Sequence, residues 1–181
     1  MLKALTHQER VALFGHLPYA PAGLKANPER VIVPWEWSRV HMREVMVPQL
    51  AALGIGYHSV TFHYKAIKQF AALWQAWEEE GLLGAIKTWN GSWATRFKRQ
   101  NGTVEQRLIA CKLLGERNLS NHSWGTAFDI NAAIYPLGTP MREVSAAYAE
   151  LVPIAAMYGF AWGGYFSRPD PMHWECIKVL P

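Results

Sequence analysis

Apolar side chains recur at Ile67, Phe70, Ala71, Trp74 and Trp77, the i, i+3, i+4, i+7 spacing of one helix face, and the pattern stops at Gly81. This predicts an amphipathic helix over 64–80 whose aromatic stripe packs into a core. Three more helices follow from their boundaries. One covers 6–15, with Thr6 as N-cap and Glu9 at capping-box spacing. A second covers 103–114 and stops at Gly115, and a third covers 143–158, kinked at Pro153 and ended by Gly159. The proline-punctuated stretch 18–34 reads as surface wrapping, and in 35–53 the apolar positions are broken by Pro48. Short strands are expected at 57–62 and at 86–89, the latter running into an Asn90-Gly91 turn.

Period-two alternation appears late in the chain. Read as a strand, 125–131 places Gly125, Ala127, Asp129 and Asn131 on one face and Thr126, Phe128 and Ile130 on the other. Its apolar side would pack on a core while Asp129 faces a site cleared by Gly125 and Ala127. A second strand over 172–179 puts His173 and Glu175 on one side, with Met172, Trp174 and Cys176 on the other. Short strands among helices predict an α+β domain with a small, mostly antiparallel sheet flanked by helices.

A length of 181 residues fits one domain, 1–181, with a helical N-terminal part over 1–85 and a motif-bearing part over 86–181. Half of the residues are hydrophobic and 18% charged, which excludes a disordered chain. No run approaches ~18 consecutive apolar residues, so no ordinary membrane span is expected. The N-terminus lacks the apolar run of a secretory signal, so synthesis in the cytoplasm and export by another route are expected. Cys111 and Cys176 form no CxxC pair and are expected to be buried free thiols. A net charge of +4 favours anionic partners only weakly, and no nucleic-acid motif accompanies the basic cluster Arg96, Lys98 and Arg99. A monomer without a nucleic-acid partner is the expectation.

The chemistry lies in two motifs. The first is Ser120-Asn-His122-Ser-Trp-Gly125-Thr-Ala127-Phe-Asp129; the second, forty-one positions past Asp129, is Asp170-Pro-Met-His173-Trp174-Glu175. Two imidazoles and a carboxylate can hold one Zn²⁺ through three protein bonds and leave a fourth position for water, the ligand count of a catalytic site. Asp170 is then a spare carboxylate, able to take a proton from water and pass it to a leaving amine. A developing oxyanion needs a further positive partner, and Arg96 and Arg99 are the candidates. Histidines 7, 16, 41, 58 and 63 lack such company and read as ordinary side chains. Of the nine tryptophans, Trp35, Trp37, Trp74 and Trp77 are assigned to the core, while Trp124 and Trp174 are candidates for substrate contact.

The run SxHxxGxAxD followed by DxxH resembles the zinc peptidoglycan peptidases, which include D-alanyl-D-alanine carboxypeptidases and phage L-alanyl-D-glutamate endopeptidases. Trp89-Asn-Gly91-Ser92-Trp93-Ala-Thr-Arg96 resembles the segment carrying that family's substrate-binding arginine. Gly159-Phe-Ala-Trp162-Gly163-Gly164 precedes Asp170 as the family's GF-W-GG element does. The alignable motifs run from Trp89 to Glu175, about half of the chain. The resemblance implies a Hedgehog/D,D-peptidase-like fold, zinc held by His122, Asp129 and His173, Asp170 as general base and Ser120 orienting a ligand. It favours Arg96 over Arg99 and gives Glu175 a structural role. The aspartate of DxxH, where many relatives carry glutamate, points to the endolysin-like branch. Trp174 departs from the commoner phenylalanine.

Two hypotheses of different class follow. One is a peptidase of the bacterial stem peptide, cutting L-Ala-D-Glu, with D,D-carboxypeptidase activity as the alternative. The other is a zinc-containing binding module without turnover, as in the resembling Hedgehog domain. The presence of Asp170 and an arginine candidate favours the enzyme. Release in phage or prophage lysis, or delivery by a secretion machine, is the expected route to the wall.

Overall fold

The computed structural model describes residues 3–56 and 59–181. Helix α1 (His7–Phe14) starts at the expected capping box: the Glu9 N–H donates to Thr6 Oγ1 at 3.3 Å, and the Thr6 N–H donates to Glu9 Oε2 at 2.7 Å. It ends at Gly15, where φ is 86°. The chain then forms a two-residue ribbon of β1 (Ala20–Pro21) and β2 (Val31–Ile32), helix α2 (Trp35–His41), strand β3 (Met42–Met46), helix α3 (Pro48–Ala52) and strand β4 (Ser59–His63). β3 and β4 pair antiparallel. The N-terminal part is therefore not simply helical as expected. It carries two β-ribbons, and β4 overlaps the expected strand 57–62 from Ser59 and runs one residue past it, Tyr57 and His58 lying outside the described residues.

Helix α4 (Ile67–Glu79) buries the stripe that predicted it, with Phe70, Leu73, Trp74 and Trp77 fully enclosed. It covers one face of a four-stranded antiparallel sheet formed by β5 (Trp89–Gly91), β6 (Ala127–Ile130), β7 (Phe160–Trp162) and β8 (His173–Cys176), in the order β5-β6-β8-β7. Phe128 lies at the centre of the packed face, stacked between Trp89 and Trp174 and met edge-on by Phe70 and Trp77. Aromatic pairs of this geometry each add about 0.5–1.5 kcal/mol beyond the area they bury. Apolar alternation thus pins β6 and β8, and their other face is left to the polar residues.

Several expected details differ. Trp35 is 65% exposed rather than in the core, with the Arg39 guanidinium 5.4 Å above its ring. The strand expected at 86–89 begins only at Trp89, because 83–85 is a 3-10 turn and Ile86 is taken into the core. The helix expected over 143–158 divides into α6 (Ala146–Ala149) and α7 (Leu151–Met157), after α5 (Val104–Leu114). The break falls at Glu150, one turn before Pro153, because a proline ring crowds the carbonyl four residues upstream and offers no N–H to it. Strand β6 ends at Ile130. Asn131 has a left-handed φ of 58°, and its side chain accepts the N–H groups of Lys87 and Thr88 at 2.6 and 3.1 Å instead of facing the site. Cys111 and Cys176 are buried and free.

Candidate metal and catalytic site

The register of β6 and β8 sets Asp129 directly opposite His173 and Ala127 opposite Glu175. Side chains so paired on one face have Cβ atoms about 4.5–5.5 Å apart, and Asp129 Oδ1 lies 3.0 Å from His173 Nδ1. His122 comes from the 3-10 turn Asn121–Trp124, which closes at Gly125 in the left-handed conformation. Its Nε2 is 3.1 Å from both Asp129 Oδ1 and His173 Nδ1. Gly125 does not clear the site as expected. A Cβ there would lie 2.0 Å from Met42 Cε and 3.4 Å from the His63 nitrogen, so the glycine admits the β3–β4 hairpin.

The outer ring nitrogens reveal what the inner ones offer. A backbone carbonyl only accepts, so His122 Nδ1, 2.9 Å from the Ser92 carbonyl, carries the hydrogen. His173 Nε2 likewise donates to Glu175 Oε2 at 3.1 Å. With both rings neutral, His122 Nε2, His173 Nδ1 and Asp129 Oδ1 are three lone-pair atoms facing one another, all within 4.8 Å. That triangle repels itself unless a cation stands among its members. Burial opposes charge on Asp129, but the adjoining His122 and His173 outweigh it and hold the carboxyl far below the usual carboxylate range. Burial also disfavours a proton on His173, yet the flanking Asp129 and Glu175 carboxylates raise its pKa to about 10. The position demands positive charge, and two imidazole nitrogens with a carboxylate oxygen suit one zinc ion.

Glu175 does more than the structural role expected of it. It is 2% exposed, accepts the Leu5 N–H on Oε1 at 3.3 Å and the Asn121 amide on Oε2, and orients His173 through Nε2. The buried guanidinium of Arg10, on α1, contributes compensating charge. Ligand-holding hydrogen bonds of this kind fix tautomer and ring direction. Ser120, expected in that role, is buried and bonds through its backbone N–H to the Arg96 carbonyl at 3.0 Å. Ser92 and Glu175 perform the orientation instead. Glu175 was accessible to sequence reasoning, because alternation puts it on the face of His173; Ser92 was not, since it acts through a main-chain oxygen.

Asp170 is held at the head of β8. Its N–H donates to the Gly163 carbonyl and its carbonyl accepts the His173 N–H, both at 2.9 Å. Its Oδ1 is buried and has no hydrogen-bond partner among the described residues. Burial raises this carboxyl above its ordinary value; Asp129 adds to the rise, while the charges of His173, His122 and Arg96 oppose it. A carboxylate with an unengaged lone pair and increased proton affinity is suited to general-base work. Gly163 permits the arrangement, since a Cβ there would stand 2.4 Å from the Asp170 carbonyl oxygen and 3.2 Å from the Cβ atoms of Asp170 and His173.

Arg96 lies beside a cleft of about 410 Å³ that Asn27, Arg30, Trp93, Ala94 and Thr95 also line. Arg99 is exposed, and of the two arginines it is Arg96 whose charge acts on Asp170. The two tryptophans expected at the substrate are both fully buried. Trp124 donates to the Gly15 carbonyl at 3.0 Å and stacks under Arg10, and Trp174 donates to Tyr148 Oη at 3.1 Å on the core face of β8. Neither ring can meet a ligand in this packing.

No curated protein and no solved structure matches the chain. Residues 114–176 match a family model described as D-alanyl-D-alanine carboxypeptidase. That span contains His122, Asp129, Asp170, His173 and Glu175, and it leaves Arg96, Ser92 and the N-terminal half outside. Over the part that builds the metal triangle, the chain is similar to zinc-dependent peptidases that act on peptidoglycan.

Proposed function

We propose that the protein is a zinc-dependent peptidase of the bacterial peptidoglycan stem peptide, cutting the L-alanyl-D-glutamate bond. The observation that carries the reading is the convergence of three inward-facing donor atoms beside a half-buried carboxylate whose Oδ1 is buried and unpaired among the described residues. A binding module would have no use for Asp170 Oδ1 left unpaired at the edge of a cation site, where an unsatisfied buried acceptor costs about 1–3 kcal/mol. His122, Asp129 and His173 would hold the zinc. When bound, zinc supplies Lewis acidity toward a carbonyl and lowers the pKa of water.

Everything else belongs to the chain. Asp170 takes the proton of the attacking water on its free oxygen and gives it to the departing amine. Arg96, whose charge reaches Asp170, supplies positive charge to the bound peptide from the neighbouring cleft. Glu175 keeps His173 Nδ1 facing inward and Ser92 does the same for His122 Nε2. The aspartate at 170, where many of the resembling peptidases carry glutamate, supports the endopeptidase; the carboxypeptidase description of the matching family supports release of D-alanine as the second reading.

The test is mass analysis of sacculi and synthetic stem peptides treated with zinc-loaded protein. New amino termini at D-glutamate are expected, and free D-alanine would identify the carboxypeptidase instead. Asp170→Ala should retain one zinc by metal analysis while kcat falls at least about 10²-fold, the scale of a lost general base. Intact sacculi and intact peptides after treatment with wild-type protein carrying one zinc would sink the peptidase reading.

A further inference from the structure

The segments 29–31 and 95–97 are zipped together: Val31 N–H donates to Thr95 O at 3.0 Å and Phe97 N–H to Glu29 O at 2.8 Å. Between these bonds Arg30 and Arg96 are direct antiparallel partners. Glu29, Val31 and Phe97 turn inward and are buried, with Glu29 held by Arg107 through two hydrogen bonds. Arg30 and Arg96 share the opposite side and line the 410 Å³ cleft. Like charges directly opposed across a strand pair are destabilising, yet among the described residues no carboxylate lies within ion-pair distance of either guanidinium. The Arg96 side chain makes a single long bond to the Phe97 carbonyl, at 3.4 Å.

The cleft adjoins the metal triangle. Ala94 N–H donates to the His122 carbonyl at 3.2 Å, Trp93 Nε1 to the Ser123 carbonyl at 3.3 Å, and the Ser92 carbonyl holds His122 Nδ1. We propose that Arg30 is a specificity-determining residue that forms, with Arg96, a two-guanidinium clamp for a free carboxylate of the substrate lying outside the scissile bond. An anion between the two charges relieves their repulsion and accepts charge-assisted hydrogen bonds from both. The proposal rests on the peptidase reading for the identity of the ligand, a peptide bearing a free side-group carboxylate.

The probes are L-Ala-γ-D-Glu-L-Lys-D-Ala and the same peptide with the D-glutamate α-carboxylate converted to the carboxamide. Calorimetry on zinc-loaded Asp170→Asn protein should give about tenfold tighter binding of the acid than of the amide, the scale of one charge-assisted pair. Adding Arg30→Gln should bring that ratio within about twofold, with a melting temperature no lower than before, because Arg30 is exposed and its loss removes a repulsion with Arg96. An equal affinity for both peptides, no binding of either, or a preference that survives Arg30→Gln overturns the clamp. Cleavage assays on wild type separate the two readings. If neither peptide is cut while the Arg30-dependent preference persists, the peptidase reading falls and the clamp stands. If both are cut at equal rates with equal affinity, the clamp falls and the peptidase stands.

Discussion

Asp170 and Gly163 set the tolerance of the site at the scale of single residues. The carboxylate position depends on the Gly163 carbonyl accepting the Asp170 N–H, and on a missing side chain at 163. In Gly163→Ala the new methyl would meet main-chain oxygen rather than the end of a flexible side chain, so the Asp170–His173 turn must shift. Misplacement of a catalytic group by about 1 Å can cost 10²-fold in rate. We expect kcat/KM on a stem peptide to fall by about that factor and zinc to bind more weakly, with the far-ultraviolet circular dichroism unchanged. Wild-type turnover in this variant would show that the loop accommodates a methyl and that Asp170 is not so tightly placed.

At the scale of elements, the packing of α4 on the sheet keeps β6 and β8 in register, and the register brings Asp129 opposite His173. Trp77 touches Phe128 and Trp174 edge-on, at ring-centroid distances of 6.1 and 5.5 Å, and its Nε1 donates to the Leu151 carbonyl at 3.1 Å. Truncating such a side chain costs about 3–5 kcal/mol through lost burial and the cavity left behind. Trp77→Ala should therefore lower the urea midpoint strongly, and excess zinc should recover part of the loss by binding only the folded chain. No recovery with zinc would mean that the sheet register does not couple to the metal ligands. Helix α1 has a separate role: its capping box fixes the turn from which Leu5 reaches Glu175.

The whole molecule adds a dependence on acid. His63 is wholly buried where β4 meets α1 and α2, packed edge-on by Phe14 and near the rings of Trp37 and His41. Burial, and then the nearby His41 and Lys65, lower its pKa from the usual 6.5 to about 3. The folded chain thus keeps His63 neutral while the unfolded chain takes up a proton below 6.5. Stability from this residue is complete above pH 6.5 and is lost as pH falls toward 3, by on the order of 5 kcal/mol at the limit. Urea unfolding at pH 7, 5 and 4 should show this decline, and His63→Phe should flatten it. Parallel curves for the two proteins would rule out His63 as the source.

The metal triangle was legible in the sequence because the alternation that turns its strand residues to one face is local. A strand places every second side chain on one face, so Asp129 parted from Phe128, and His173 and Glu175 from Trp174, before any partner strand was known. Capping at Thr6 and the stripe of α4 were legible for the same reason. Asn131 and Gly125 were misread, because the pattern does not reveal where a strand ends or which distant chain fills a glycine's space. The tryptophans next to the motifs were misread as ligand contacts, since adjacency along the chain says nothing of the side from which the core approaches. Tertiary structure alone decided that Ser92 orients His122, that Leu5 and Arg10 support Glu175 from the other end of the chain, and that Arg30 faces Arg96. Each of these joins residues through pairing and packing over long stretches of chain, where no periodicity connects them.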